Sequence, residues 1–296
     1  MTEFSRREAL FTGLGAVFAR RAEVSRLSVE GYIFQQYAER QKKPLRGVID
    51  EIFAMAKNAG FHNIELNQGF FVPEIRERVL ELLKANQLKM PSVYVGGAMH
   101  ATKLADQTIA TALEIGEVCR PFGCKAIVNN PSPLSPAAEK SDAELAQQAE
   151  ALNRLGRALK EKGFELRVHH HTPELVNNAR EWRHILHNTD PSYVAFCLDL
   201  DWAHQGGFEP LDLLKEAGSR VGEVHVRNSK DKLWLEALDD GDVDYRQVAR
   251  YFRVAKLRPL IVVELAYRDN TTVTRPLGED LRLSRIYAEK IFGVQA

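Results

Sequence analysis

The sequence carries no surplus of either charge. Forty lysines and arginines balance forty aspartates and glutamates, so the formal net charge is zero. A nucleic-acid partner is disfavoured on that count, because binding a phosphate backbone draws on an excess of cations. No run approaches the roughly 20 consecutive apolar residues needed to cross a bilayer, which excludes a membrane-spanning body. Cysteine is scarce. Cys119, Cys124 and Cys197 are odd in number, show no C-x-x-C spacing and read as small buried hydrophobes rather than a zinc or disulfide framework. No G-x-G-x-x-G opens a helix and no G-x-x-x-x-G-K-[ST] is present, which removes the main support for dinucleotide and P-loop chemistry.

What is present is the composition of an ordinary globular protein, 45% hydrophobic and 27% charged over 296 residues. That length exceeds the roughly 250 residues of a plain barrel and is within reach of one domain. Near the start, Ser5-Arg6-Arg7-Glu8-Ala9-Leu10-Phe11 leads into a short apolar stretch ending Val17-Phe18-Ala19, then Arg20 and Arg21. The arginine pair resembles a twin-arginine export signal, which would make the protein periplasmic. The other reading is an N-terminal extension packed under the fold of a cytoplasmic protein. Residues 1–26 are set aside as this extension or signal, and residues 27–296 as one catalytic domain.

From there, strand-like and helix-period segments alternate. Strands are expected over Leu27–Tyr37, His62–Asn67, Met90–Val95, Ala126–Asn129, Phe164–Val168, Tyr193–Leu200, Val221–Val226 and Pro259–Leu265. Between them, residues such as Ile49, Ile52, Phe53 and Ala56, or Tyr245, Val248, Ala249 and Phe252, recur at helical spacing. Ser141-Asp142-Ala143-Glu144 has capping-box spacing ahead of a long helix. Eight such units without a Pro/Gly-rich linker predict α/β architecture, a single (β/α)8 TIM barrel.

Catalytic groups of such a barrel belong at the C-terminal ends of its strands. Here those ends read Glu65-Leu66-Asn67, His169-His170-His171, Asp199-Leu200-Asp201-Trp202, His225-Val226-Arg227 and Glu264-Leu265. Alternation places His169 with His171, Asp199 with Asp201, and His225 with Arg227. Buried carboxylates need partners, and a shared divalent cation with two imidazoles would satisfy Asp199 and Glu264 together. Each residue also has a plainer use. Glu264 would pair with Arg227, Asp199 would cap the loop after its strand, and His225 would be a hydrogen-bonded core histidine. Four metal-type residues ending four successive strands make the signal.

These segments, with His171-Thr172-Pro173-Glu174-Leu175 and Gly241-Asp242-Val243-Asp244-Tyr245, resemble the xylose-isomerase-like sugar isomerase/epimerase superfamily, which includes endonuclease IV. The resemblance implies one divalent ion, Mn2+ first and Mg2+, Co2+ or Zn2+ as alternatives, held by Glu, Asp, His and Glu from strands five to eight. Asp199, His225 and Glu264 match. The strand-five glutamate is replaced by His169, in a segment resembling an H-N-H variant, so either His169 or His171 is the fourth ligand. Trp202 stands where a histidine is usual and Asn228 where an aspartate is common.

The activity implied is a sugar isomerase or epimerase that abstracts a proton next to a carbonyl through a metal-stabilised enediolate. Glu264, His169 or His171 would be the base. Arg227 and Glu236 would position hydroxyls, and Glu65, Tyr94, Asn129 and Trp202 would wall the pocket. The alternative is a lyase or dehydratase of a keto-sugar or keto-inositol, including cleavage of a 3-keto-glycoside. An endonuclease IV-like nuclease and a non-catalytic sugar-binding barrel stand behind these. The expected partner is a small unphosphorylated sugar, with neither nucleic acid nor membrane, and a homo-oligomer is compatible.

Overall fold

The computed structural model of the chain describes residues 25–296 other than 136, 137 and 270, so the arginine pair of the N-terminal segment lies outside the described residues. The strands are β1 (Leu27–Glu30), β2 (Ile64–Asn67), β3 (Ser92–Tyr94), β4 (Ala126–Asn129), β5 (Glu165–Val168), β6 (Val194–Asp199) and β7 (Val221–Val226). A two-stranded hairpin, β8 (Ser229–Lys230) and β9 (Leu233–Trp234), follows, and β10 (Leu260–Val263) completes the set. All but the hairpin strands pair in parallel and close a barrel in the order β1-β10-β7-β6-β5-β4-β3-β2. The chain is a single (β/α)8 TIM barrel.

Short apolar strands explain the closure. Ala126–Asn129 and Leu260–Val263 are buried at every position, as strands covered on one side by helices and on the other by the barrel interior must be. The outer layer comprises α1 (Tyr32–Arg40), α2 (Ile49–Asn58), α3 (Pro73–Ala85), α4 (Thr102–Cys119), α5 (Asp142–Glu161), α6 (Val176–Asn188), α7 (Leu200–Gln205), α8 (Pro210–Ala217), α9 (Tyr245–Ala255) and α10 (Leu277–Phe292). The expected capping box opens α5: Ser141 accepts from the Glu144 N–H while the Glu144 carboxylate accepts from Ser141 N–H. In α9 the buried face is Tyr245, Val248, Ala249 and Phe252, the periodic set read from the sequence. No helix among the described residues is long and apolar enough to cross a membrane.

Two elements differ from expectation. The first strand stops at Glu30, and Tyr32 to Tyr37 belong to α1, whose Ile33, Phe34 and Ala38 are buried. Aromatic and β-branched residues gave that stretch a strand-like composition, but they pack as one side of a helix. The sixth strand ends at Asp199, and α7 begins at once. Asp199 and Asp201 therefore do not alternate along one strand. Asp199 is the N-cap, accepting from the Trp202 N–H at 2.8 Å, the capping role open to it in the sequence.

Candidate metal centre and active-site cavity

Four of the expected residues come together at the mouth of the barrel. Asp199 ends β6, His225 lies near the end of β7, and His169 and Glu264 are the first residues after β5 and β10. Donor atoms of His169, Asp199, His225 and Glu264 all lie within 4.8 Å of one another, and all four residues are buried. His169 Nε2 is 4.0 Å from Asp199 Oδ2 and 3.9 Å from Glu264 Oε2, and His225 Nδ1 is 2.5 Å from Glu264 Oε2. Neither ring nitrogen of His169 has a hydrogen-bond partner, although its residue is 1% exposed. A buried imidazole with two unused nitrogens, facing two carboxylates and a second imidazole, is a mixed nitrogen and oxygen donor set that fits a divalent metal ion.

Arg227 closes this group from one side. Its Nη1 donates to Glu264 Oε1 and its Nη2 to Asp199 Oδ2, each at 3.0 Å, while Nε lies 3.6 Å from Asp201 Oδ2. The guanidinium packs against two indoles, 4.8 Å from the ring centre of Trp202 and 4.4 Å from that of Trp234. Burial by itself would raise the Glu264 carboxyl, but Arg227 and His225 hold it well below the ordinary carboxylate range. Glu264 is therefore a fixed anion. The Arg227–Glu264 ion pair considered in the sequence is present, alongside the convergence of ligand-type residues rather than instead of it.

Beneath the centre lies a second buried layer. Glu65 Oε1 is 2.9 Å from His225 Nε2, on the side of the ring away from Glu264. The Ser92 hydroxyl lies in hydrogen-bond reach of both Glu65 and Glu223, and Arg167 donates to Glu223 at 2.8 Å. A carboxylate behind a ligating imidazole fixes the ring's orientation and raises its basicity. Glu65 thus contacts the candidate ligand His225 and does not line the cavity.

The cavity above these residues has a volume of about 590 Å³. His171, Trp202, Trp234, Tyr94, Arg227 and Glu264 are among its walls. Of the two strand-five histidines, His169 sits in the donor cluster and His171 faces the cavity, 4.8 Å away between ring centres. Burial lowers the His171 imidazole to about 4, so it is neutral at physiological pH. Glu174 holds the loop by accepting the His171 N–H at 2.7 Å. Trp202 meets His171 edge-on at 5.4 Å and Trp234 at 5.2 Å.

Two candidates stand elsewhere. Glu236 accepts from the Thr274 hydroxyl and from the backbone N–H groups of Thr274 and Arg275, so its carboxylate ties down the loop after β10 rather than entering the cavity. Asn129 is fully buried at the end of β4 and donates to the Val95 carbonyl. Glu30 and Trp234 are among the cavity residues that escaped the sequence reading. Glu30 was concealed by the overlong first strand. Trp234 sits on a hairpin too short to show periodicity.

That hairpin also explains Asn228. Its Nδ2 donates to the carbonyls of Asp239 and Val243, and its Oδ1 accepts from the N–H groups of Ser229 and Val243. An aspartate could accept but could not donate the other two. The clasp brings Gly241 so close to the Ser229 carbonyl oxygen that no Cβ fits.

The strand-end chemistry and the closed barrel agree with what the chain resembles among known proteins. The xylose isomerase-like TIM barrel family matches residues 53–287. The chain belongs to that family. Its relatives include inosose dehydratase 2 of Bacillus cereus, 24% identical over 203 residues, covering 65% of this chain and 67% of the relative. The inosose dehydratase of Clostridium perfringens (strain 13 / Type A) is 23% identical over 261 residues, covering 78% and 86%. Among solved structures, a sugar phosphate isomerase/epimerase from Parabacteroides distasonis ATCC 8503 superposes with a TM-score of 0.71 at 16% identity, covering 93% of this chain and 97% of that one. The 3-keto-D-glucoside 4-epimerase of E. coli gives 0.64 at 17% identity, covering 90% and 99%. At these identities the structures share the fold. These relatives and neighbours are themselves named as dehydratases and isomerase/epimerases.

Proposed function

We propose that this chain is a metal-dependent enzyme that removes the proton next to the carbonyl of an unphosphorylated keto-sugar or keto-inositol, leading to isomerisation or epimerisation. The observation that carries this reading is the placement of a neutral, cavity-facing His171 beside the buried cluster of His169, Asp199, His225 and Glu264. Those four residues would hold the ion, which when bound supplies Lewis acidity at the substrate carbonyl oxygen, with Mn2+ the first candidate.

The chain's own residues divide the remaining work. Glu264 is engaged by Arg227 and His225, which suits an anionic ligand better than a base. His171 has a free lone pair at neutral pH and an accessible position, and it takes the proton. Trp202 and Trp234 present aromatic surface to the apolar C–H face of a sugar ring and limit the entry of water. Among the described residues that line the cavity, Arg227 is the one arginine or lysine and is spent on carboxylates, which leaves no arginine or lysine wall there for a phosphate.

A second reading is favoured by the inosose dehydratase relatives. The same abstraction can be followed by expulsion of a β-hydroxyl. Incubating the metal-loaded protein with an inosose and a set of keto-hexoses, and weighing the products by mass spectrometry, separates the two. A chromatographically distinct product of unchanged mass supports isomerisation or epimerisation, and loss of one water supports dehydration. No product from any keto-sugar would contradict both.

A further inference from the structure

We propose that Glu30 is a second catalytic acid of this site, acting on the face of the substrate opposite His171. The proposal rests on the proton-transfer reading above and assigns a residue that neither the family resemblance nor the metal cluster calls for.

The barrel's order supplies the geometry. In the ring β1-β10-β7-β6-β5-β4-β3-β2, β5 is the strand farthest from β1 in either direction. Glu30 ends β1, and His171 follows the end of β5. Both line the same cavity, so a substrate lying over the metal-type cluster has a carboxyl on one flank and an imidazole on the other.

Glu30 is also prepared as an acid. It is 3% exposed, and its Oε2 accepts from the Tyr32 N–H, which fixes the carboxyl against the start of α1. Its neighbours are the Glu65 and Glu264 carboxyls, opposed in part by the His225 imidazole. Glu65 is its register partner on β2, and Val29 pairs with Val263, which sets Glu30 level with Glu264 just past the end of β10. No lysine, arginine or histidine among the described residues forms an ion pair with it. A buried carboxyl beside two other carboxyls favours the neutral O–H form. Burial, reinforced by Glu264 and Glu65, raises its pKa well above the ordinary range.

The proton balance is direct. His171 takes the proton from the carbon next to the carbonyl, and the C–H pair becomes the C=C bond of the enediolate as the carbonyl π pair moves onto oxygen. In epimerisation the Glu30 O–H then protonates that carbon from the other face. The C=C pair forms the new C–H bond and the carbonyl returns. In dehydration the same Glu30 proton goes to the departing β-hydroxyl, which leaves as water with the C–O pair, while the enediolate C=C pair forms the new double bond to the β-carbon and the oxygen pair restores the carbonyl. Either way His171 ends as imidazolium and Glu30 as carboxylate, and solvent exchange resets both.

This division predicts that exchange and turnover separate. The metal-loaded full chain would be incubated with the keto-sugars in deuterated water, following deuterium at the carbon next to the carbonyl and net product. In Glu30→Gln, exchange through His171 should stay within about threefold of wild type while net product falls about 10²- to 10⁴-fold, the usual contribution of a positioned acid. Binding of Mn2+, measured by calorimetry, should be unchanged. Undiminished product overturns the proposal, and so does an equal loss of exchange and product. Glu30→Asp keeps an acid and serves if the glutamine variant does not fold. It should lose at least about tenfold in net product with exchange intact, and equal loss or no loss again overturns the role. Absence of exchange in the wild-type protein is a different failure. It would remove the proton-transfer reading, and the role of Glu30 with it.

Discussion

Arg227 Nη1 donates to Glu264 Oε1 at 3.0 Å inside the mouth of the barrel. Because the same guanidinium also reaches Asp199 and lies near Asp201, it compensates a group of carboxylates that would otherwise share a buried space. Removing it should cost about 3–5 kcal/mol in the metal-free protein, the usual penalty for leaving buried charge unpaired. A divalent ion would supply part of that missing charge. Arg227→Met should therefore regain more stability on adding Mn2+ than wild type does. Denaturant melts with and without the ion check this, and equal gains in the two proteins would contradict it.

The two strand-five histidines should separate metal binding from catalysis. His169→Ala removes a nitrogen from the donor cluster and should lower bound metal, measured by elemental analysis after desalting. His171→Asn leaves the cluster intact and should keep its metal. Its deuterium exchange should drop by about 10²- to 10⁴-fold, as expected for loss of a general base. The reverse pattern would exchange the two assignments.

Acid should affect activity and stability through the same ring. Burial lowers His171 to about 4 from an ordinary value near 6.5, and lowers His170 to about 3. Because the unfolded chain binds these protons more readily, their contribution to stability is fully present above about pH 6.5 and is lost as the pH falls towards the folded values. Exchange activity should stay level from pH 8 to about 5.5 and fall near pH 4, where His171 protonates. Melts across that range, run beside the rates, separate protonation of the base from unfolding. An acidic limb centred near the ordinary histidine value, with folding intact, would contradict a neutral buried base.

The hairpin that carries Trp234 depends on a close approach at Gly241. A Cβ there would strike the Ser229 carbonyl and the Asn228 side chain that clasps the loop. Gly241→Ala should displace Trp234 and raise KM for the sugar severalfold, leaving metal content unchanged. Steady-state kinetics with metal analysis test it. An unchanged KM would show that Trp234 does not shape the sugar site.

Much of this was legible in the sequence because each strand end combined a chemical type with a period. His169, Asp199, His225 and Glu264 stand at or next to the last residues of their strands, where the barrel concentrates chemistry, and the structure gathers them. Where strand geometry lapses, so did the reading. The Asp199–Asp201 alternation fails because α7 begins at Leu200, and Asp201 reaches the Arg227 group from a helix instead. Glu30 was hidden because Ile33 and Phe34 resemble strand residues until they are seen on the inner side of α1. Glu236 has the right charge near the right loop, yet its partners are backbone N–H groups that no side-chain pattern reveals. Trp234 depends on a hairpin fixed by the Asn228 amide, a tertiary arrangement without a local period.

The central claim is that this site abstracts a proton next to a carbonyl, and it is tested most directly by proton NMR in deuterated water. The metal-loaded protein is incubated with an inosose and a set of keto-hexoses while the signal of the proton next to each carbonyl is followed. The account predicts that this signal disappears for at least one sugar, depends on added divalent metal, and persists with His171→Asn. Persistence of every such signal with the metal-loaded wild-type protein would contradict it.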